Sequence, residues 1–241
     1  MKKTKEIYTS RRYSILASFM ITTLIVGLMT MVNPLPATRA VGAIPIKVGL
    51  ITDVAGIDDN GFNQLSYQGM LRAQTDFGIL PVYYESEVEA DYVTNLVQCV
   101  VDGNDLCITV GFLLDTATLA AALTFPATKF AIVDYDYTSS YPNNLRGINF
   151  NVGQPAYVAG VLAGLLSQTK IIGDISGMEI PSVTAFTEAY HNGALCANPN
   201  TTVKLVYTGD FNNPTLGAQI AQIMISQGAD VILSPAGLTG T

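Results

Sequence analysis

Lys47-Val-Gly-Leu-Ile-Thr-Asp53-Val-Ala-Gly-Ile-Asp-Asp-Asn-Gly-Phe62-Asn63-Gln64 sets the pattern that the rest of the chain repeats. A short apolar run leads straight into a polar loop punctuated by glycines, and the loop opens a helical pattern with Leu65, Gly69, Ala73 and Phe77 on one stripe. Strand, loop and helix in that order form the first unit of an α/β sheet. In such sheets ligands bind beyond the carboxyl ends of the strands, beside helix N-termini. The loop brings an acid (Asp53), an aromatic ring (Phe62) and an amide (Asn63) to that place, a set suited to a small polar molecule with a flat ring.

The alternation continues outward from there. Strands are predicted over 46–52, 80–84, 106–110 and 129–133, with helices over 62–77, 89–101 and 116–123 between them. Val93, Val97 and Val101 share one face of the second helix. Near-continuous apolar strands suit a parallel sheet covered on both faces. A second unit starts near Arg146, with 147–151 as a hinge crossover. Gln154–Ser167 is apolar almost all round and reads as a buried helix, its Gly160-x-x-x-Gly164 serving close packing on a sheet. Strands over 170–175, 203–207 and 231–233 follow. Between them lie a helix from Pro181 to about Leu195 and another capped by Asn213-Pro214, with Leu216, Ile220 and Ile223 facing inward. The halves echo one another: Phe62 and Phe186 each open a helix, and a glycine follows seven residues later, at Gly69 and Gly193. The fold class is therefore α/β, with two doubly wound parallel-sheet lobes over 46–148 and 149–241 joined by a hinge. The chain stops one loop after a strand, so the second lobe reads as incomplete and the chain as a fragment.

Bulk properties bound the function. Of 241 residues 49% are hydrophobic, enough for two cores. The formal net charge is −7, but residues 1–40 hold six Lys or Arg against Glu6, so the rest carries −12. A body this acidic argues against a nucleic-acid partner, which needs a basic face. Residues 1–40 read as an export segment: a basic start, an apolar run from Ile15 to Val32, then Pro34, Pro36 and a small-residue site at Thr38-Arg39-Ala40. A cleaved signal peptide and a retained anchor both fit a run of this length. Either places the body outside the cytoplasm. No cysteine precedes Cys99, so lipid attachment behind the signal is not expected. Cys99 and Cys107 flank a turn and are either a disulfide or two buried thiols, and Cys196 is left unpaired. With one histidine, His191, placed on a helix surface, neither a zinc site nor a nucleophilic triad is legible. Asp58-Asp59-Asn60 lacks the spacing of a calcium loop. No cofactor and no enzymatic activity are expected.

Several stretches together carry a family likeness. Asp53, Asp58-Asp59-Asn60-Gly61-Phe62-Asn63-Gln64, Val110-Gly111-Phe112, Phe130-Ala-Ile-Val-Asp134, Tyr157-Val-Ala-Gly160, Gly177-Met-Glu179, Tyr207-Thr-Gly-Asp-Phe211 and Gly228-Ala-Asp-Val-Ile232 resemble, in order, the basic membrane protein family. These are PnrA-like substrate-binding proteins of ABC transporters, whose characterised members bind purine nucleosides. The resemblance implies a type I periplasmic-binding-protein fold, a small-molecule ligand and an ABC permease as partner. It further implies that Phe62 and Phe211 sandwich a base, each otherwise a plain staple at a helix start. Asp53 and Asp134, both at strand ends, are acceptors for ligand N–H or hydroxyl groups, or else helix caps and solvated acids. Asn63 either meets a ribose or caps its own helix. Gly237 belongs to a turn that in the family lies beside the sugar. A ligand-sensing receptor of the same fold, working in signalling, is the alternative reading.

Overall fold

The structure, a computed structural model, describes residues 45–241. The export segment read over residues 1–40 lies outside them. Among the described residues no helix is long and apolar enough to cross a membrane.

The first sheet contains β1 (Lys47–Ile51), β2 (Leu80–Tyr84), β3 (Leu106–Val110), β4 (Lys129–Val133) and β5 (Leu145–Ile148), in the order β2-β1-β3-β4-β5. Every pairing is parallel. Helices α1 (Phe62–Phe77), α2 (Asp91–Val101) and α3 (Asp115–Thr124) connect the strands. Because strand side chains alternate, β1 feeds two cores at once. Val48 and Leu50 pack with Met70 of α1, whereas Ile51 packs with Tyr92, Leu96 and Cys99 of α2. Cys99 and Cys107 are joined as a disulfide, with Cα atoms 6.3 Å apart, tying the end of α2 to β3.

The second sheet is also parallel. It runs β7 (Thr202–Tyr207), β6 (Ile171–Ser176), β8 (Val231–Leu233), leaving β8 at an edge among the described residues. Its helices are α4 (Gly153–Leu166), α5 (Pro181–Ala197) and α6 (Pro214–Ser226). Pro181 and Pro214 occupy first helical positions, where the missing N–H costs nothing. The Asn213 side chain accepts from Leu216 N at 3.1 Å, the cap read from the sequence.

Strand positions follow the sequence closely; helix orientations do not. On α1 it is Met70 that is buried, while Leu65 and Phe77 of the expected stripe are exposed. On α2, Tyr92, Leu96 and Cys99 face the core and Val93, Val97 and Val101 face outward. On α6, Gly217 and Met224 are buried and Ile220 packs inward as expected, whereas Ile223 is exposed. Each of these helices carries two apolar stripes, and periodicity alone does not rank them. Helix α4 is not buried all round: Val158, Leu162, Leu165 and Leu166 form an exposed ridge. Its glycines serve a second helix, not a sheet. A Cβ at Gly160 would collide with the Tyr190 carbonyl of α5, one at Gly164 would lie 2.6 Å from the Ala194 carbonyl, and one at Gly193 would collide with the Tyr157 carbonyl. Arg146, near which the second unit was read to start, and residues 147–148 of the expected crossover at 147–151 lie in β5, paired with β4.

Candidate functional site

The carboxyl ends of the strands in both sheets open onto one cavity of about 420 Å³, a size ordinary for small-molecule sites. All six residues singled out from the sequence border it: Asp53, Phe62, Asn63 and Asp134 from the first sheet's loops, Phe211 and Gly237 from the second's.

The loop after β1 is organised by Asp59, a buried carboxylate. Its Oδ1 accepts from Gly61 N at 2.8 Å and Gln64 N at 2.9 Å, and its Oδ2 from Asn63 N and Asn63 Nδ2, both at 3.0 Å. Asp59 thus caps α1, and Asn63 does not. Asn63 is 1% exposed and gives its other amide hydrogen to Asp53 Oδ1 at 2.8 Å, while its Oδ1 accepts from Asp53 N at 3.3 Å. With Ala55 N donating to Asp53 Oδ1 at 3.0 Å, the carboxylate is fixed and Oδ2 stays free of these bonds. Oδ2 lies against Gly111, where an added Cβ would sit 2.9 Å from it and where φ is +97°. Burial raises Asp53 above the usual carboxylate range; the bonds from Ala55 and Asn63 oppose this, and the neighbouring Asp59 charge adds to it.

Asp134 follows β4 directly, with φ +64° and its N–H donating to Ile148 O at 2.8 Å. Its Oδ1 is buried without a hydrogen bond. Burial pushes the group up to about 6. The Ser182 hydroxyl, from the first turn of α5, pulls the other way, although its geometry to Asp134 falls short of a hydrogen bond and its Oγ is equally unpartnered.

The two aromatics are held differently. Phe62 is 38% exposed, and its ring centroid lies 5.9 Å from that of Phe150 at an interplanar angle of 41°. Phe211 lies across Gly177, where any Cβ would overlap the ring. Its carbonyl accepts from Thr239 N at 3.2 Å, which docks the loop on the turn Gly237–Gly240. Phe112, Phe186 and Ser182 also line the cavity without having been singled out. Phe112 follows β3 as Asp53 follows β1, and Phe186 is the counterpart of Phe62 in the internal echo; those were the available signals. His191 is not on a free surface as expected. Its Nε2 lies 3.3 Å from Oδ2 of Asp174, a fully buried carboxylate on β6 whose Oδ1 accepts from Ser176 Oγ at 2.8 Å. That pair does not line the cavity.

With Asp53, Asp59 and Asp134 and several aromatic rings along it, the site can accept hydrogen bonds and stack a flat ring. Among the described residues that line it there is no Lys, Arg or His.

Comparison with known proteins bears on the family and the fold. The chain is 32% identical over 204 residues to the ABC transporter nucleoside-binding protein BmpA of Lactococcus lactis, matching 81% of this chain and 56% of that protein. It is 33% identical over 205 residues to basic membrane protein B of Borrelia garinii, matching 83% of this chain and 60% of that one. A crystal structure of an ABC transporter solute-binding protein from Aeropyrum pernix superposes with a TM-score of 0.74 at 28% identity, covering 81% of this chain and 56% of that chain. This chain therefore spans between half and two thirds of the length of these relatives. The profile of the PnrA-like ABC transporter substrate-binding proteins matches residues 46–241, and the chain belongs to that family.

Proposed function

We propose that this protein captures a purine nucleoside outside the cytoplasm and delivers it to an ABC permease. The ligand would lie between lobes 46–148 and 149–241, which close on it about the intervening hinge. One observation carries this reading: Phe62 and Phe211, from different sheets, border the same cavity as the strand-end carboxylates Asp53 and Asp134. In this reading the rings stack on the base. Asp53 Oδ2 and Asp134 accept ligand N–H or hydroxyl hydrogens, and Gly237 offers backbone groups beside the sugar. Asn63 acts through Asp53, because its amide hydrogens are already committed to carboxylates. The nucleoside-binding relative from Lactococcus lactis supports the same ligand class.

Calorimetric titration of the protein with inosine, guanosine and adenosine, with their 5′-phosphates, with free bases and with ribose tests the reading. Saturable binding of at least one nucleoside, without release of free base, is the expected result. Binding of sugars or amino acids alone would overturn it.

A further inference from the structure

We propose that Asn212 is a closure latch: its side-chain amide, donated to the carbonyl of Val54, holds the two lobes together at the mouth of the cavity. Among the described residues this is the one hydrogen bond that joins residues 46–148 to residues 149–241, at 2.9 Å. The inference rests on the nucleoside-capture reading for its purpose, though not for its geometry.

Both partners are held in place before they meet. Asn212 N donates to Asp210 Oδ1 at 2.8 Å, Asn213 N donates to Thr239 Oγ1 at 2.8 Å, and the Phe211 carbonyl is bound by Thr239 N. On the other side, Val54 follows Asp53, whose N–H and carboxylate are tied to Asn63 and Ala55, and Gly56 N closes the turn onto Asp53 O at 3.2 Å. A bond between two preorganised loops loses little of its value to ordering. Its position gives it a role that sequence distance hides. Asn212 is the neighbour of Phe211 and Val54 the neighbour of Asp53, so one bond couples the stacking ring of one lobe to the carboxylate of the other. Asn212 is a positioning residue, exposed at the rim, and it acts on the ligand by keeping the lobes shut.

Such a latch acts on escape more than on entry, since it forms only as the lobes come together. Asn212→Asp keeps the shape and the turn to Asp210 but replaces the donor with an acceptor facing a carbonyl; Asn212→Ala removes the group. Each should release inosine about fivefold faster with an unchanged association rate, a change equal to about 1 kcal/mol. A ligand-independent readout accompanies this. Spin labels at Thr75→Cys and Ser226→Cys, in a Cys196→Ser background, report the distance between lobes by pulsed electron resonance. In the ligand-free protein Asn212→Asp should shift the population toward the longer distance. An unchanged distance distribution, or equal dissociation rates in wild type and both variants, overturns the latch. If wild type binds no nucleoside, the capture reading falls, and the distance measurement still decides the latch.

Discussion

Replacing Asp134 with asparagine should make the protein more stable and a poorer binder at once. Burial lifts the Asp134 carboxyl from 3.8 to about 6. The folded state therefore disfavours the ionised form. A carboxylate raised in this way contributes no penalty below the unfolded value near pH 4. The penalty grows as pH rises and is complete above about pH 6. A shift of this size corresponds to about 3 kcal/mol at full weight. The cavity opens to solvent, so about 1–2 kcal/mol is the working figure. The substituted amide would carry no charge to bury, and asparagine tolerates the positive φ at this position. Urea unfolding of wild type and Asp134→Asn at pH 4 and pH 8 measures the difference. The variant should gain little at pH 4 and about 1–2 kcal/mol at pH 8, while nucleoside affinity falls through loss of a charged acceptor. A gain equal at both pH values, or a loss at pH 8, would refute the reasoning.

Phe62→Ala and Phe211→Ala should each weaken nucleoside binding by about 1–3 kcal/mol, read by calorimetry; unchanged affinity in both returns the rings to a packing role. Asp59→Ala removes the cap of α1 and strands one hydrogen of the buried Asn63 amide. A loss of about 2–4 kcal/mol in chemical denaturation is expected. Gly160→Ala places a Cβ on the Tyr190 carbonyl and should cost about 3 kcal/mol, seen as a lowered melting temperature.

Strands and helices differed in how plainly the sequence displayed them. β1, β3 and β4 are covered on both faces, so Val48–Ile51, Leu106–Val110 and Phe130–Val133 read as near-continuous apolar runs, and their positions were legible to within a residue or two. β5 was not, because Leu145-Arg-Gly-Ile buries only Leu145 fully. The helices' inward faces were harder still. Val93, Val97 and Val101 are as periodic as Tyr92, Leu96 and Cys99, and only tertiary packing chooses between them. Within the site, Asp53 and Asp134 were legible from topology, since a residue that ends a parallel strand has one side of the sheet to go to. Asp59 was not, because its role depends on a turn that brings four N–H groups onto one carboxylate. The contact between His191 and Asp174 joins a helix to a strand 17 positions away, and no spacing rule points to it.

The seam between α4 and α5 limits how this lobe can change over generations. Gly160, Gly164 and Gly193 face main-chain carbonyls of the opposite helix, not side chains. A clash between two side chains is open to a compensating mutation that shrinks one of them. A clash against Tyr190 O, Ala194 O or Tyr157 O is not, since no substitution makes a peptide carbonyl smaller. Second-site suppressors of a change at these glycines would have to move a whole helix, so reversion is the expected escape. The three positions are points where the lobe has no neutral path to vary, although none of them borders the cavity.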